Sequence, residues 1–488
     1  MNKGYRGLAK RSSIAGDAPF SQQDYKLRVN DQYNFFATEQ HQQLQQQQPG
    51  RQPDPQIDTR TVSYSSFYEL RYPLYGLDWT NTRDCEYSRI ALSSYREDAT
   101  NRIKIIYGEP NYLNEEDKKD RSLIDSWNFN SGCEATVNYP VTRLQWDPSM
   151  SLGFTNKDRL ATSSDCLRIY EVEEVEPILN TTAKTTTITT NIIGGGDSNT
   201  DSLFPSPPTH KLVEKMALTN SKTKNFNQLA PLTSFDWNVV DPKHVITCSI
   251  DTTCTLWDLS RGSGIAKTQL IAHDSEVFDV KFLFGDKYVF TSCSNDGSIR
   301  VFDLRSLEHS TIIYEPQMGR SSITSNSSSV DQPSSGGTLA GQPAPLLRLS
   351  TSNYNANHIA TVEANTNRIL ILDLRYPGTP VKTLQYHASA INCLEWHPTK
   401  NMLVSGSDDC QVLIYDLDKM EVANSASDKK MNAMDVDIFE GDINNSDKDF
   451  GVMGFFDDME VNNITWSTDG DWMGINSGRR MQAVKVEL

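Results

Sequence analysis

Residues Pro231 to Ser260, PLTSFDWNVVDPKHVITCSIDTTCTLWDLS, constrain this chain more than any other stretch. Leu232 to Trp237 alternates apolar and polar residues. Val240-Asp241-Pro242-Lys243 carries turn chemistry, and Val245 to Ser249 is a second apolar run. Asp251-Thr252-Thr253 turns the chain into Cys254-Thr255-Leu256-Trp257-Asp258. Strand, turn, strand, turn, strand is too small to bury an apolar face by itself. Such a unit is stable only when copies of it stack on one another.

The unit does repeat. The aromatic residue that ends its first strand recurs as Trp79, Trp146, Trp237, Phe282, Trp396 and Trp466, with APLLRLS at 344–350 as a weaker copy. Third strands recur in the same number: RIKIIYG (102–108), CLRIYEV (166–172), CTLWDLS (254–260), SIRVFDLR (298–305), RILILDLR (368–375), QVLIYDLD (411–418) and MQAVKVEL (481–488). Trp257 to Phe302 matches the roughly 40–45 residue period of WD40 repeats. The sequence therefore predicts an all-β, seven-bladed WD40 propeller over 66–488. SFYELRYP, beginning at Ser66, is expected to supply the outermost strand of the last blade. Residues 1–65 are polar and Gln-rich, and no packed core is expected there. Long spacings place insertions at 174–226, 317–342 and 421–458, each read as a solvated loop outside the core. The 317–342 loop is expected on the top face, and the 421–458 loop is acidic.

Composition narrows the function. The net charge of −17 argues against direct binding to a phosphate backbone, which rests on Lys and Arg, but leaves basic partners such as histones or Lys/Arg-rich peptides open, so a chromatin or histone-binding propeller that uses the acidic 421–458 loop is an alternative to an adaptor. Eight cysteines occur without a CxxC or a metal-ligand spacing. Cys248, Cys254, Cys293, Cys393 and Cys410 fall in or beside strand-like runs and read as reduced, buried, small apolar residues of a cytoplasmic or nuclear protein. The N-terminal residues show no signal-peptide pattern, and no apolar run reaches the length of a membrane span. Gly194-Gly195-Gly196 lacks the strand–loop–helix setting and the Lys-Ser/Thr of a phosphate loop. No cofactor or metal is expected.

Two Ser-His-Asp sets resemble catalytic triads: His273, Ser292 and Asp296 ahead of Phe302, and His387, Ser405 and Asp409 ahead of Tyr415. Both recur at one set of offsets, which a single active site has no reason to do. They read instead as structural networks that satisfy buried polar groups in a blade. Thr247, Asp251 and Trp257 form a version without the His. Phe302 and Tyr415 lack an indole N–H, so their networks are expected to be weaker.

The residue following the opening apolar position of each first strand is expected at the rim of the central channel: Tyr75, Thr142, Thr233, Phe278, Leu347, Asn392 and Asn462. The residues before the turn Asp, Ser164, Ile250, Asn295 and Asp408, should join them. Exposed Tyr75, Phe278, Leu347 and Ile250 among small polar groups would make a peptide-docking face. Two third strands end in Asp-x-Arg boxes, Asp303/Arg305 and Asp373/Arg375, on the opposite and wider face. There an Asp–Arg pair is expected to tie the turn to a neighbouring blade.

SIDTTCTLWDL (249–259), APLTSFDWN (230–238), KTQLIAHDSEVFDV (267–280) and FDLRSLEHSTIIYE (302–315) resemble the WD40 adaptor family of the plant Transparent Testa Glabra and anthocyanin regulators. The family includes their animal counterpart, a cullin-4-associated WD-repeat factor. The likeness runs from about Tyr68 to the C-terminus, and the Gln-rich start and long loops resemble fungal members. It implies a non-catalytic adaptor, monomeric within larger complexes. Its partners would be transcription regulators or dual-specificity tyrosine-regulated kinases. Members with paired Asp-x-Arg boxes are proposed receptors of cullin-4 ligases. Arg305 and Arg375 match those boxes, while Phe302 and Leu372 replace the usual Trp.

Overall fold

The structure, a computed structural model, describes residues 65–81, 87–96, 100–114, 121–155, 157–175, 210–219, 229–260, 265–316, 343–420 and 452–486. Its strands form seven four-stranded antiparallel sheets. The first strand of each lines the axis of a ring: Leu74–Asn81, Arg143–Trp146, Leu232–Trp237, Val277–Phe282, Leu346–Thr351, Ile391–Trp396 and Val461–Trp466. All seven third strands read from the sequence are present. The last blade takes its outer strand from the other end of the chain. Ser65–Glu69 pairs antiparallel with Arg480–Lys485, from Ser65 opposite Val484 to Glu69 opposite Arg480.

The apolar residues sort into seven clusters, one at each seam between blades. The Trp-position side chains sit at these seams. Trp237, Trp396 and Trp472 are among the largest fully buried side chains. Where blades one and seven meet, Trp127 stands edge-on to Trp79 and to Trp472, with centroids 5.4 and 5.9 Å away. Each sheet thus has a neighbour against both faces, which is how strands of five or six residues gain a core.

Two insertion boundaries need correction. His210–Leu218 lies inside 174–226 and Val452–Phe456 inside 421–458. Both are fourth strands, of blades two and six. The outermost strand of a blade is the most solvated, so HKLVEKMAL is too polar to stand out as an apolar run. Residues 1–64, 176–209, 220–226, 317–342 and 421–451 lie outside the described residues. Pro316 and Pro343, which flank 317–342, lie close to Gly297 in the turn between the second and third strands of blade four.

That turn needs a left-handed residue. Blade four supplies Gly297 at φ +76°, whereas blades three and six place Thr252 (φ +71°) and Cys410 (φ +63°) there. The Thr252 carbonyl holds the strained form by accepting from the backbone N–H groups of Ala272 (2.9 Å) and His273 (3.4 Å). A β-branched residue in this region carries a steric penalty of roughly 1–2 kcal/mol that glycine avoids, less glycine's greater unfolded-state entropy. Thr252→Gly should therefore raise stability by about 0.5–1 kcal/mol. Urea unfolding checks this, and a lowered midpoint would show that the methyl contacts outweigh the strain.

Candidate functional site

Six of the seven first strands share an irregularity at one place. In blades one and three to seven the register with the second strand slips just after the opening apolar residue. The slip is a β-bulge in which one residue leaves the ladder and its side chain is re-aimed. In blades three to seven the bulged residues are Thr233, Phe278, Leu347, Asn392 and Asn462, and in blade one the bulge spans Tyr75 and Gly76. Thr142 holds the matching place in blade two, just ahead of its strand.

Four of these residues reach sideways. Thr142 Oγ1 donates to the Leu232 carbonyl (3.1 Å), Thr233 Oγ1 to Val277 (2.5 Å), Asn392 Nδ2 to Val461 (3.1 Å) and Asn462 Nδ2 to Leu74 (3.1 Å). Each acceptor is the opening residue of the next blade's first strand. Residues expected as docking contacts therefore staple neighbouring blades together.

Three residues further on, a second ring of contacts also crosses from blade to blade, and it includes the seams between blades one and two and between blades five and six. Asp78 accepts from the Trp146 N–H (2.6 Å), Gln145 from Trp237 (3.0 Å), Asp236 from Phe282 (2.9 Å) and Ser350 from Trp396 (3.1 Å). Glu395 accepts from the Trp466 N–H. Blade four has Lys281 at this position, which donates to Asp236 (3.3 Å). Asp279, two residues earlier, accepts from Leu349 in its stead (2.9 Å). Sequence reading missed this ring. Its signal is the polar residue immediately before the aromatic in LDW, LQW, FDW and LEW.

The remaining rim residues are half-buried. Tyr75 stacks near Tyr95, with centroids 5.5 Å apart, and its hydroxyl accepts from Arg348 Nη2 (2.9 Å) across the channel from blade five. Asn295 Nδ2 donates to Ser275 and Glu276. Asp408 accepts from Asn392 Nδ2 (2.6 Å), and burial raises its carboxyl. Ser164 is buried, and its hydroxyl accepts from Arg168 (3.1 Å). Tyr75, Phe278, Leu347 and Ile250, expected to be exposed, are each only partly open. Leu347 packs onto the cluster between blades five and six. The bulge places Leu347 against that seam.

The repeated Ser-His-Asp sets are internal to their blades. His273 Nε2 lies 2.7 Å from Ser292 Oγ, and its Nδ1 lies 3.0 Å from Asp296. His387 repeats this with Ser405 (2.7 Å) and Asp409 (3.0 Å). Both rings are buried. In both sets burial alone would raise the carboxyl, but hydrogen bonding, led by the His, holds Asp296 and Asp409 below the usual range. Phe302 cannot join and stacks on Phe290 at 5.0 Å. Tyr415 does join, its hydroxyl 3.2 Å from Ser405 Oγ, so blade six has a complete chain without an indole. In blade three, Trp257 Nε1 donates to Thr247 (2.9 Å). Asp251 stands apart, exposed and closing its own turn through Thr253, because no His connects it to Thr247.

On the opposite face both Asp-x-Arg boxes close on themselves. Asp303 accepts from the Arg305 backbone N–H (2.9 Å), Nε (2.8 Å) and Nη2 (2.6 Å), and Asp373 holds Arg375 the same way. The pairs do not tie the turns to a neighbouring blade, since an Asp two residues before an Arg meets it within one turn. Both guanidinium groups are more than half exposed. Arg305 lies over the Tyr288 ring and Arg375 over Tyr376. Around them, the loops joining first to second strands in blades two to five expose Phe154, Val239, Val240, Phe284 and Tyr354. These apolar residues inside turn sequences such as NVVDPK and FLFGD were the overlooked sign of this surface.

Among the described residues no group of three or more His, Cys, Asp or Glu is placed to hold a metal, and no helix is long and apolar enough to cross a membrane. The family model described as "WD domain, G-beta repeat" matches residues 265–303 and 378–416, the spans that carry the two His-Ser-Asp chains. Curated relatives extend the match well beyond those spans. A WD repeat-containing protein of Saccharomyces cerevisiae is 36% identical, covering 86% of this chain and 76% of its own. The chain belongs to the WD40 repeat family. An uncharacterized WD repeat-containing protein of Schizosaccharomyces pombe is 31% identical over 86% of this chain and 89% of its own. A DDB1- and CUL4-associated factor 7 homolog of Dictyostelium discoideum is 32% identical over 86% and 98%.

The channel carboxyls of this WD40 ring make its stability depend on pH. Burial in the channel wall raises Asp78 to about 6 and Glu395 to about 7, the latter also through the Asp78 charge. A carboxyl raised on folding favours the fold while protonated. Its contribution is lost as pH rises, between 3.8 and about 6 for Asp78 and between 4.5 and about 7 for Glu395. Burial lowers His397 to about 4 and acts in the opposite sense, removing stability as pH falls below 6.5. Comparing wild type with Glu395→Gln cancels the His397 contribution. The variant should gain on the order of 1–2 kcal/mol relative to wild type between pH 5 and 8. Equal pH profiles of the two proteins in denaturant unfolding would contradict this.

Proposed function

We propose that this WD40 ring is a non-catalytic adaptor of the cytoplasm and nucleus that holds two protein partners at once, one on each face. The observation that carries the reading is the division of its polar chemistry. Both triad-like sets and both rings of seam contacts serve the fold, while the face with the Asp-x-Arg boxes retains exposed arginines among apolar loop residues. Exposed aromatic and arginine side chains are what protein interfaces favour. A rigid ring that binds on two faces raises the effective concentration of one partner near the other without a direct contact between them. The family strings around Ser249–Leu259 support kinases or transcription regulators as the top-face clients.

A second reading is favoured by the boxes themselves. Arg305 and Arg375 are presented alike in adjacent blades, and the Dictyostelium relative is named for association with DDB1 and CUL4. In this reading the box-bearing face docks a cullin-ligase adaptor and the top face takes the substrate. Phe302 and Leu372, in the place of Trp, are buried and leave that face unaltered.

Affinity purification of the tagged full chain separates the faces. Ile250→Asp should remove one subset of co-purifying proteins, and Arg305→Ala with Arg375→Ala another, with melting temperatures within a few degrees of wild type. Loss of a DDB1-like adaptor from the arginine variant alone would favour the ligase reading. Identical protein sets for wild type and both folded variants would overturn the two-face proposal.

A further inference from the structure

The first strands present two tiers of side chains to the channel. The residue after each rim position forms the upper tier, Gly76, Arg143, Ser234, Asp279, Arg348, Cys393 and Asn463. Two residues later, about 6–7 Å deeper, comes the tier that contains Asp78, Lys281 and Glu395. Residues of both tiers line one cavity, together with Tyr75, Thr142, Thr233 and Asn462.

The upper tier holds two arginines against one carboxylate. Asp279 is committed to the backbone, accepting from Val280 on one oxygen and from Leu349 on the other (both 2.9 Å). Arg143 reaches it only at 3.9 Å, and the buried Arg143 Nε has no hydrogen-bond acceptor among the described residues. Arg348 donates to its neighbour's carbonyl at Leu347 and to the Tyr75 hydroxyl. A buried guanidinium N–H without an acceptor is costly, and a carboxylate is its best-matched partner.

We propose that the upper channel is a receptor for one acidic side chain, a Glu or Asp of a partner's peptide, held between Arg143 and Arg348. This deepens the adaptor reading and rests on its top-face client. The tier's charge of two arginines less Asp279 is neutralised by a monoanion. A phosphate dianion would overfill it and would face Asp78 and Glu395 from above. The raised carboxyls of those two residues lessen the negative charge below the site. Half-buried Tyr75, Phe278 and Leu347 at the rim would cover the stem of the incoming side chain.

The probe is an immobilised library of random pentapeptides with a fixed central Glu, Asp, Gln, Asn or phosphoserine, offered to the full-length protein. Glu- or Asp-centred peptides should be retained at least tenfold better than their amide counterparts. Arg143→Gln or Arg348→Gln should abolish that preference, and Arg305→Ala should leave it intact. No acidic preference, a stronger preference for phosphoserine, or a preference that survives both arginine variants would each overturn the proposal. If the preference is absent while Ile250→Asp still removes top-face partners, this inference fails and the adaptor reading stands. If both variants unfold, Arg143→Lys and Arg348→Lys, which keep charge but lose the paired N–H geometry, should weaken the preference.

Discussion

Every blade of this ring depends on a side chain that crosses to the next blade near the axis. The apolar seams supply most of the driving force, but burial is non-directional and does not fix how far one blade turns against another. The hydrogen bonds from Thr142, Thr233, Asn392 and Asn462 to the next opening carbonyl do fix it, and so do those from Asp78, Gln145, Asp236, Ser350 and Glu395 to the next aromatic N–H. They also solve a satisfaction problem. First strands have no partner on their channel side, so their outward backbone groups would otherwise be unpaired in a narrow, partly dry space. In blades three, six and seven the bulge is the device that makes this work, since it frees the stapling residue from the ladder.

This explains why the architecture was legible and the seam contacts were not. Strand count, blade count and the closing strand follow from apolar runs and turn residues, which are local signals. The aromatic that ends each first strand marks the seam directly. Fourth strands such as His210–Leu218 were absorbed into loops because solvent, not a core, sets their composition. The rim residues were found by offset. That Thr142, Thr233, Asn392 and Asn462 also staple neighbouring blades could not be read, because a Thr at the rim of a channel and a Thr stapling two blades have the same sequence surroundings. Only the position of the next blade's carbonyl separates them, and that position is a property of the closed ring.

The His-Ser-Asp chains show a similar limit. Recurrence was enough to read them as structural, and the geometry agrees, with both rings buried beside their Ser and Asp partners. Whether a blade completes the chain could not be read from the last residue's type alone. Tyr415 takes part through its hydroxyl, Phe302 turns to stacking, and Asp251 is left to its own turn. A polar network extends as far as each member finds the next within reach. The missing His in blade three cuts off the Asp and leaves Thr247–Trp257 as a pair.

The same seam contacts bear on what the ring can do. A scaffold that must hold two partners needs faces that do not shift when one of them is loaded. Fixing the blades near the axis leaves the loops at both ends free to vary without changing the spacing of the ring. The long insertions of blades two and six leave between third and fourth strands, far from the axis, where extra chain costs little in closure entropy. The insertion before blade five leaves beside Gly297, at the end of the ring where the channel opens between Arg143 and Arg348. All three insertions are thus joined to the blades at sites outside the two rings of seam contacts. The stapled core beneath both faces stays the same.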